Sequence, residues 1–101
     1  MTKTPVIYFD VDDTLVRFAS TKRIPIPAAV ESVRALKQAG ARLFLWSTGG
    51  AEYARSTAED LGLAECFEAF LPKPNVIVDD QAVSEWRDFQ HFLPGQEVSL
   101  R

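Results

Sequence analysis

With 101 residues, 47% apolar and 25% charged, the chain suits one domain spanning residues 1–101, and its composition excludes a disordered tail. A net charge of −3 without a basic run excludes a broad nucleic-acid-binding face and leaves only local basic contacts around Lys22 and Arg23. No apolar stretch is long enough to span a membrane, residues 1–5 carry no signal-peptide pattern, and the single Cys66 asks for no oxidising compartment, so a cytoplasmic protein is expected.

In chain order, Val6-Ile7-Tyr8-Phe9 is the first of three short apolar runs; Leu43-Phe44-Leu45-Trp46 and Val76-Ile77-Val78 are the others. None alternates with polar residues, which suits strands buried on both faces of a parallel sheet. Residues 15–26 leave room for a helical turn and a short flap. Pro27 fits a first helical turn, Ala29, Val30, Val33 and Leu36 follow at helical spacing, and Gly40 offers a stop. After the second run a helix is predicted from near Ala51, with Ala51, Ala54, Ala58 and Leu61 on one face and Gly62 at its end. Residues 67–71 read as a further short strand and residues 82–90 as a last short helix. Strands alternating with helices predict an α/β fold, a reduced Rossmann-like three-layer sandwich with a mainly parallel sheet. Right-handed crossovers then gather the strand C-termini on one edge.

Each apolar run ends in polar residues of a distinctive kind. The first ends in Asp10, Asp12 and Asp13, the second in Ser47, Thr48, Gly49 and Gly50, the third in Asp79 and Asp80. Ligands of open parallel sheets bind at that edge. Carboxylates crowded beside a buried strand repel one another, and burial disfavours their ionisation. A divalent cation removes the conflict, and magnesium needs only one or two carboxylates beside water and substrate phosphate. With phosphate held there, one carboxylate can act as nucleophile and a second can move the proton. Ser47 and the backbone N–H groups after it suit phosphate oxygens, and Lys73 supplies a positive charge. Taken singly, Asp-x-Asp is often a turn, Ser47 a helix cap and Lys73 a solvated charge. Their joint order after apolar runs favours a site.

These residues resemble the motifs of the haloacid dehalogenase superfamily, most of whose members are phosphatases. Residues 6–15, with Asp10-Val11-Asp12-Asp13-Thr14 at their centre, are similar to its first motif. The resemblance implies Asp10 as nucleophile and Asp12 as general acid and base. It implies magnesium on the Asp10 side chain, the Asp12 backbone carbonyl and Asp79. Ser47 resembles the phosphate-binding residue of the second motif, with Thr48 as its alternative, and Lys73 that of the third. Asp80 would act through water or a hydrogen bond. The third and fourth motifs are nearly fused, and no segment is long enough for a cap, so the resemblance implies a capless core with an open site.

The expected activity is therefore magnesium-dependent hydrolysis of phosphomonoesters, bulky ones included, through an aspartyl-phosphate on Asp10. The alternative is a phosphate-binding or regulatory protein with little or no turnover. A receiver-type signalling domain fits less well, because its phosphorylated aspartate follows a later strand than its acidic pair. A homo-oligomer whose second subunit supplies a lid remains open. Trp86, Phe89, His91 and Phe92 suit an interface, a core edge or a substrate wall.

Overall fold

The chain's structure is a computed structural model that describes residues 4–100. Strands β1 (Val6–Asp10), β4 (Arg42–Ser47) and β5 (Phe67–Pro72) form a parallel sheet in the order β1-β4-β5. A separate antiparallel pair, β2 (Val16–Ala19) and β3 (Lys22–Pro25), closes through a two-residue turn at Ser20 and Thr21. Two helices, α1 (Pro27–Gln38) and α2 (Ala51–Asp60), carry the crossovers from β1 to β4 and from β4 to β5. The molecule is thus a small α/β structure.

Both helices begin and end for local reasons. Proline opens α1, where its missing N–H is not needed. Gly50 precedes α2 at φ 100 and ψ 171, a backbone region open essentially to glycine. Ala54, Thr57 and Ala58 are the buried residues of α2. Their small side chains let the helix backbone settle close to β4 and β5.

The core holds Val11, Leu15, Val16, Val33, Leu43, Leu45, Ala54, Ala58, Leu63 and Phe67. Burial alternates along β4, and Val33 of α1 and Ala54 and Ala58 of α2 share one core cluster with its buried Leu43 and Leu45, which places both helices on one face. Right-handed crossovers are the rule, and two that step the same way across the sheet, β1 to β4 to β5, put their helices on one face. The expected three layers are therefore two among the described residues. On the other face Tyr8 stacks on Phe44 and meets Trp46 edge-on, with centroids 5.1 and 4.8 Å apart, and Tyr8 remains 44% exposed. The apolar runs of β1 and β4 are accordingly not buried on both faces: the sheet has one packed face and one aromatic open face.

Three further expectations are corrected. The segment at residues 15–26 is a β-hairpin, not a helical turn and flap; Arg17, Phe18, Arg23 and Ile24 pair across it. Val76-Ile77-Val78 forms no strand, and its residues are 79, 52 and 96% exposed. The third sheet position is taken by β5, whose Phe67 and Phe70 meet the core. The helix expected at 82–90 is a single 3-10 turn at Val83–Glu85. Cys66 is a free, half-buried thiol packed against the core. No helix among the described residues is long and apolar enough to cross a membrane.

Candidate functional site

The three parallel strands end side by side. Asp10 is the last residue of β1 and is in register with Trp46; Ser47 closes β4 in register with Pro72, one residue before Lys73. The Lys73 N–H donates to the Ser47 carbonyl at 2.9 Å, tying the β5 exit to the β4 exit. From there Lys73 Nζ lies 3.7 Å from Asp10 Oδ1. Strand pairing therefore brings together two residues 63 positions apart in the chain.

Asp12 is placed by a tight turn. The N–H groups of Leu15 and Val16 donate to the Val11 carbonyl, and that of Asp13 donates to the Val16 carbonyl at 2.7 Å. Asp13 has φ 60, a left-handed conformation that aspartate tolerates better than most residues. Val11 and Leu15 are buried by this turn while Asp12 stays half-buried. Its Oδ1 accepts a hydrogen bond from the Tyr53 hydroxyl of α2 at 2.6 Å. Burial, then the hydrogen bond and charge of Asp12, raise the Tyr53 hydroxyl above its ordinary pKa; neighbouring Arg23 opposes this.

Ser47 is 1% exposed, and its Oγ accepts from the Gly49 N–H at 2.9 Å. Thr48 and Gly49 are exposed. A side chain at Gly49 would come within 3.0 Å of the Tyr53 ring and 3.3 Å of Ser47 Oγ, so glycine lets this loop lie against Tyr53. At this edge Thr48 is thus the accessible hydroxyl, whereas Ser47 shapes the loop from beneath.

Asp79 and Asp80 lie in the irregular segment after β5. Both are exposed, and Asp79 Oδ1 accepts from the Gln81 N–H at 2.9 Å, a local turn. Among the described residues no three of His, Cys, Asp and Glu gather as a metal-holding group. The carboxylates of Asp10, Asp12 and Asp79 therefore do not converge, because the strand that was to carry Asp79 to the edge does not form. His91 is exposed, and Trp86 and Phe89 pack against each other with centroids 5.5 Å apart.

Sequence reasoning missed Tyr53, and it noted Arg23 only as a local basic contact. Arg23 of the hairpin donates to Thr57 Oγ1, pairs with Asp60 Oδ2 at 2.5 Å, and sits 5.4 Å from the centre of the Tyr53 ring. A helical face bearing Tyr53 and Thr57 one turn apart was the available signal, but only the hairpin's docking gives it meaning.

The family described as Protein of unknown function (DUF705) matches residues 1–92, and the chain belongs to it. This finding corrects the membership implied by the motif resemblance: the family matched is DUF705, not the haloacid dehalogenase superfamily. No curated protein and no solved structure matches the chain.

Proposed function

We propose that this DUF705 member hydrolyses phosphomonoesters through an aspartyl-phosphate on Asp10. The observation that carries the reading is the Asp10–Lys73 pair at the exit of a parallel sheet, 3.7 Å apart, with Asp12 on the next turn. Such a pair suits phosphoryl transfer: the ammonium draws a phosphate oxygen while the neighbouring carboxylate meets phosphorus. A reduced, Rossmann-like arrangement is the finer reading of the fold. It is supported by the strand order β1-β4-β5 with helical crossovers.

In the proposed cycle an Asp10 oxygen bonds to phosphorus as the bond to the leaving oxygen breaks, and Asp12 gives that oxygen a proton. Water then attacks phosphorus, Asp12 takes its proton, and the bond to Asp10 breaks to release inorganic phosphate. Thr48 and the N–H groups at the start of α2 would hold phosphate oxygens, with Ser47 supporting that loop. The Asp10 carboxylate and the Asp12 backbone carbonyl are hard oxygens that fit magnesium, which takes few carboxylates and completes its shell with water and phosphate. When bound, the ion would neutralise charge developing on the transferred phosphoryl group.

A second reading, phosphate binding without turnover, is favoured by one observation: Asp79 is engaged in its own turn, and among the described residues the three aspartates do not gather as one metal-holding group. Phosphate release from an aryl phosphate, with and without magnesium, separates the two readings. The expected result is magnesium-dependent release by the wild type and background release by Asp10→Asn. Wild-type protein that binds phosphate but releases none, or an Asp10→Asn variant of equal rate, would overturn the hydrolytic reading.

A further inference from the structure

We propose that Tyr53 is a positioning residue for Asp12, and that the β2–β3 hairpin sets its place through Arg23; this rests on the phosphomonoesterase reading. Asp12 sits on a turn and Tyr53 on the first turns of α2, 41 positions away. The Tyr53 hydroxyl takes Oδ1 of Asp12 at 2.6 Å. That bond removes the freedom of the carboxylate to rotate and leaves its second oxygen for proton transfer. A carboxylate that must first give and then take a proton at one point in space gains from being held, because misplacement by about 1 Å can cost about 100-fold in rate.

Tyr53 is itself held from three sides. Gly49 lies against one part of its ring, where a side chain would come within 3.0 Å. The Arg23 guanidinium sits 5.4 Å from the ring centre. Arg23 is fixed to α2 by Thr57 and Asp60, and the Thr57 hydroxyl donates to the Tyr53 carbonyl at 2.9 Å. The guanidinium thus bridges the hairpin and the helix face that carries Tyr53. A purely structural purpose for the hairpin's attachment would be met by the Asp60 pair alone; the cation over the ring and the bond to Asp12 connect that attachment to the site.

The test is a double-mutant cycle with Tyr53→Phe and Asp12→Asn, read as kcat and KM on an aryl phosphate. Melting curves and the mass of trapped phosphoenzyme are measured beside it. Tyr53→Phe is expected to lower kcat about tenfold with KM unchanged, to leave the protein folded, and to let phosphoenzyme accumulate. In the Asp12→Asn background the same change is expected to cost nothing more. Arg23→Ala should lower kcat in the same direction, and Arg23→Lys, which keeps a cation over the ring, should recover part of it. An unchanged kcat for Tyr53→Phe overturns the proposal, as does an equal loss in both backgrounds or a loss that tracks the folded fraction. Wild-type protein that releases no phosphate overturns the hydrolytic reading, and this one with it.

Discussion

At the scale of single residues, the site depends on what the loop after β4 can bear. Gly49→Ala would press a methyl against the Tyr53 ring and Ser47 Oγ, and it is expected to lower activity more than stability. Gly50→Ala places a side chain at φ 100, where strain of about 1–3 kcal/mol is expected, read as a lowered denaturation midpoint. Tyr53 gives a pH signature. Its hydroxyl has a raised pKa in the fold, so its contribution is whole below the ordinary tyrosine range and is lost as pH rises through the folded value. Wild type should therefore lose more stability than Tyr53→Phe in urea titrations carried from neutral pH to above the ordinary tyrosine range. Equal losses would show that Tyr53 is unlinked to folding. None of this was legible in the residues alone. Tyr53 lies outside the face of Ala51, Ala54, Ala58 and Leu61 that the spacing marks, and its partner Asp12 lies on a turn far away in sequence.

At the scale of elements, α1 and α2 followed their local signals, whereas the strand expected at Val76-Ile77-Val78 and the helix expected at 82–90 did not form. Pro27 and Gly50 mark the helix starts near which the sequence placed them, since such residues act through their own backbone. A strand's place depends on partners it cannot name. Val76-Ile77-Val78 has strong β propensity, yet Phe67–Pro72 holds the edge of β4, where Phe67 reaches the core and Phe70 packs against it. The energetic contrast is testable by denaturant unfolding. Leu45→Ala in the core should cost about 2–5 kcal/mol, whereas Val78→Ala should fall within about 0.5 kcal/mol of wild type. A large loss at Val78 would place that segment in the packed structure. Between β4 and β5, the Arg42–Glu68 pair at 2.8 Å is exposed, and its hydrogen bond to Arg42 holds Glu68 below the ordinary glutamate range. What it contributes is present above that range, fades as pH falls through the folded value, and should weaken with salt.

For the whole molecule, the main consequence is asymmetry. The helices cover one face of the sheet, and Tyr8, Phe44 and Trp46 line the other. Residues 73–100 add only one 3-10 turn and contribute nothing to the buried core. Brief proteolysis should therefore cut within 73–100 before it cuts within 6–72, as read by the masses of the fragments. The same layout bears on metal binding. With Asp79 engaged in its own turn, Asp79→Ala should leave a magnesium-dependent rise in melting temperature nearly intact, whereas Asp10→Ala should remove it. Loss of the rise in Asp79→Ala would mean that the segment folds onto the edge when the ion binds.

The sequence by itself determined the α/β class, the two helices and the presence of acidic, hydroxyl and lysine residues just past apolar runs. These are properties of periodicity and of turn chemistry, which act over a few residues. Its motifs did not determine the family, because short acidic motifs resemble one another across families while the match over residues 1–92 rests on the whole pattern. The strand expected at residues 67–71 formed as β5, but tertiary structure alone decided that Val76-Ile77-Val78 stayed out of the sheet, which face of the sheet stayed open, and that Asp10, Asp12 and Asp79 do not gather as one group among the described residues. Each of these is a competition between distant segments for the same backbone edge or the same core volume. Its outcome is set by packing and hydrogen-bond pairing that no local pattern contains.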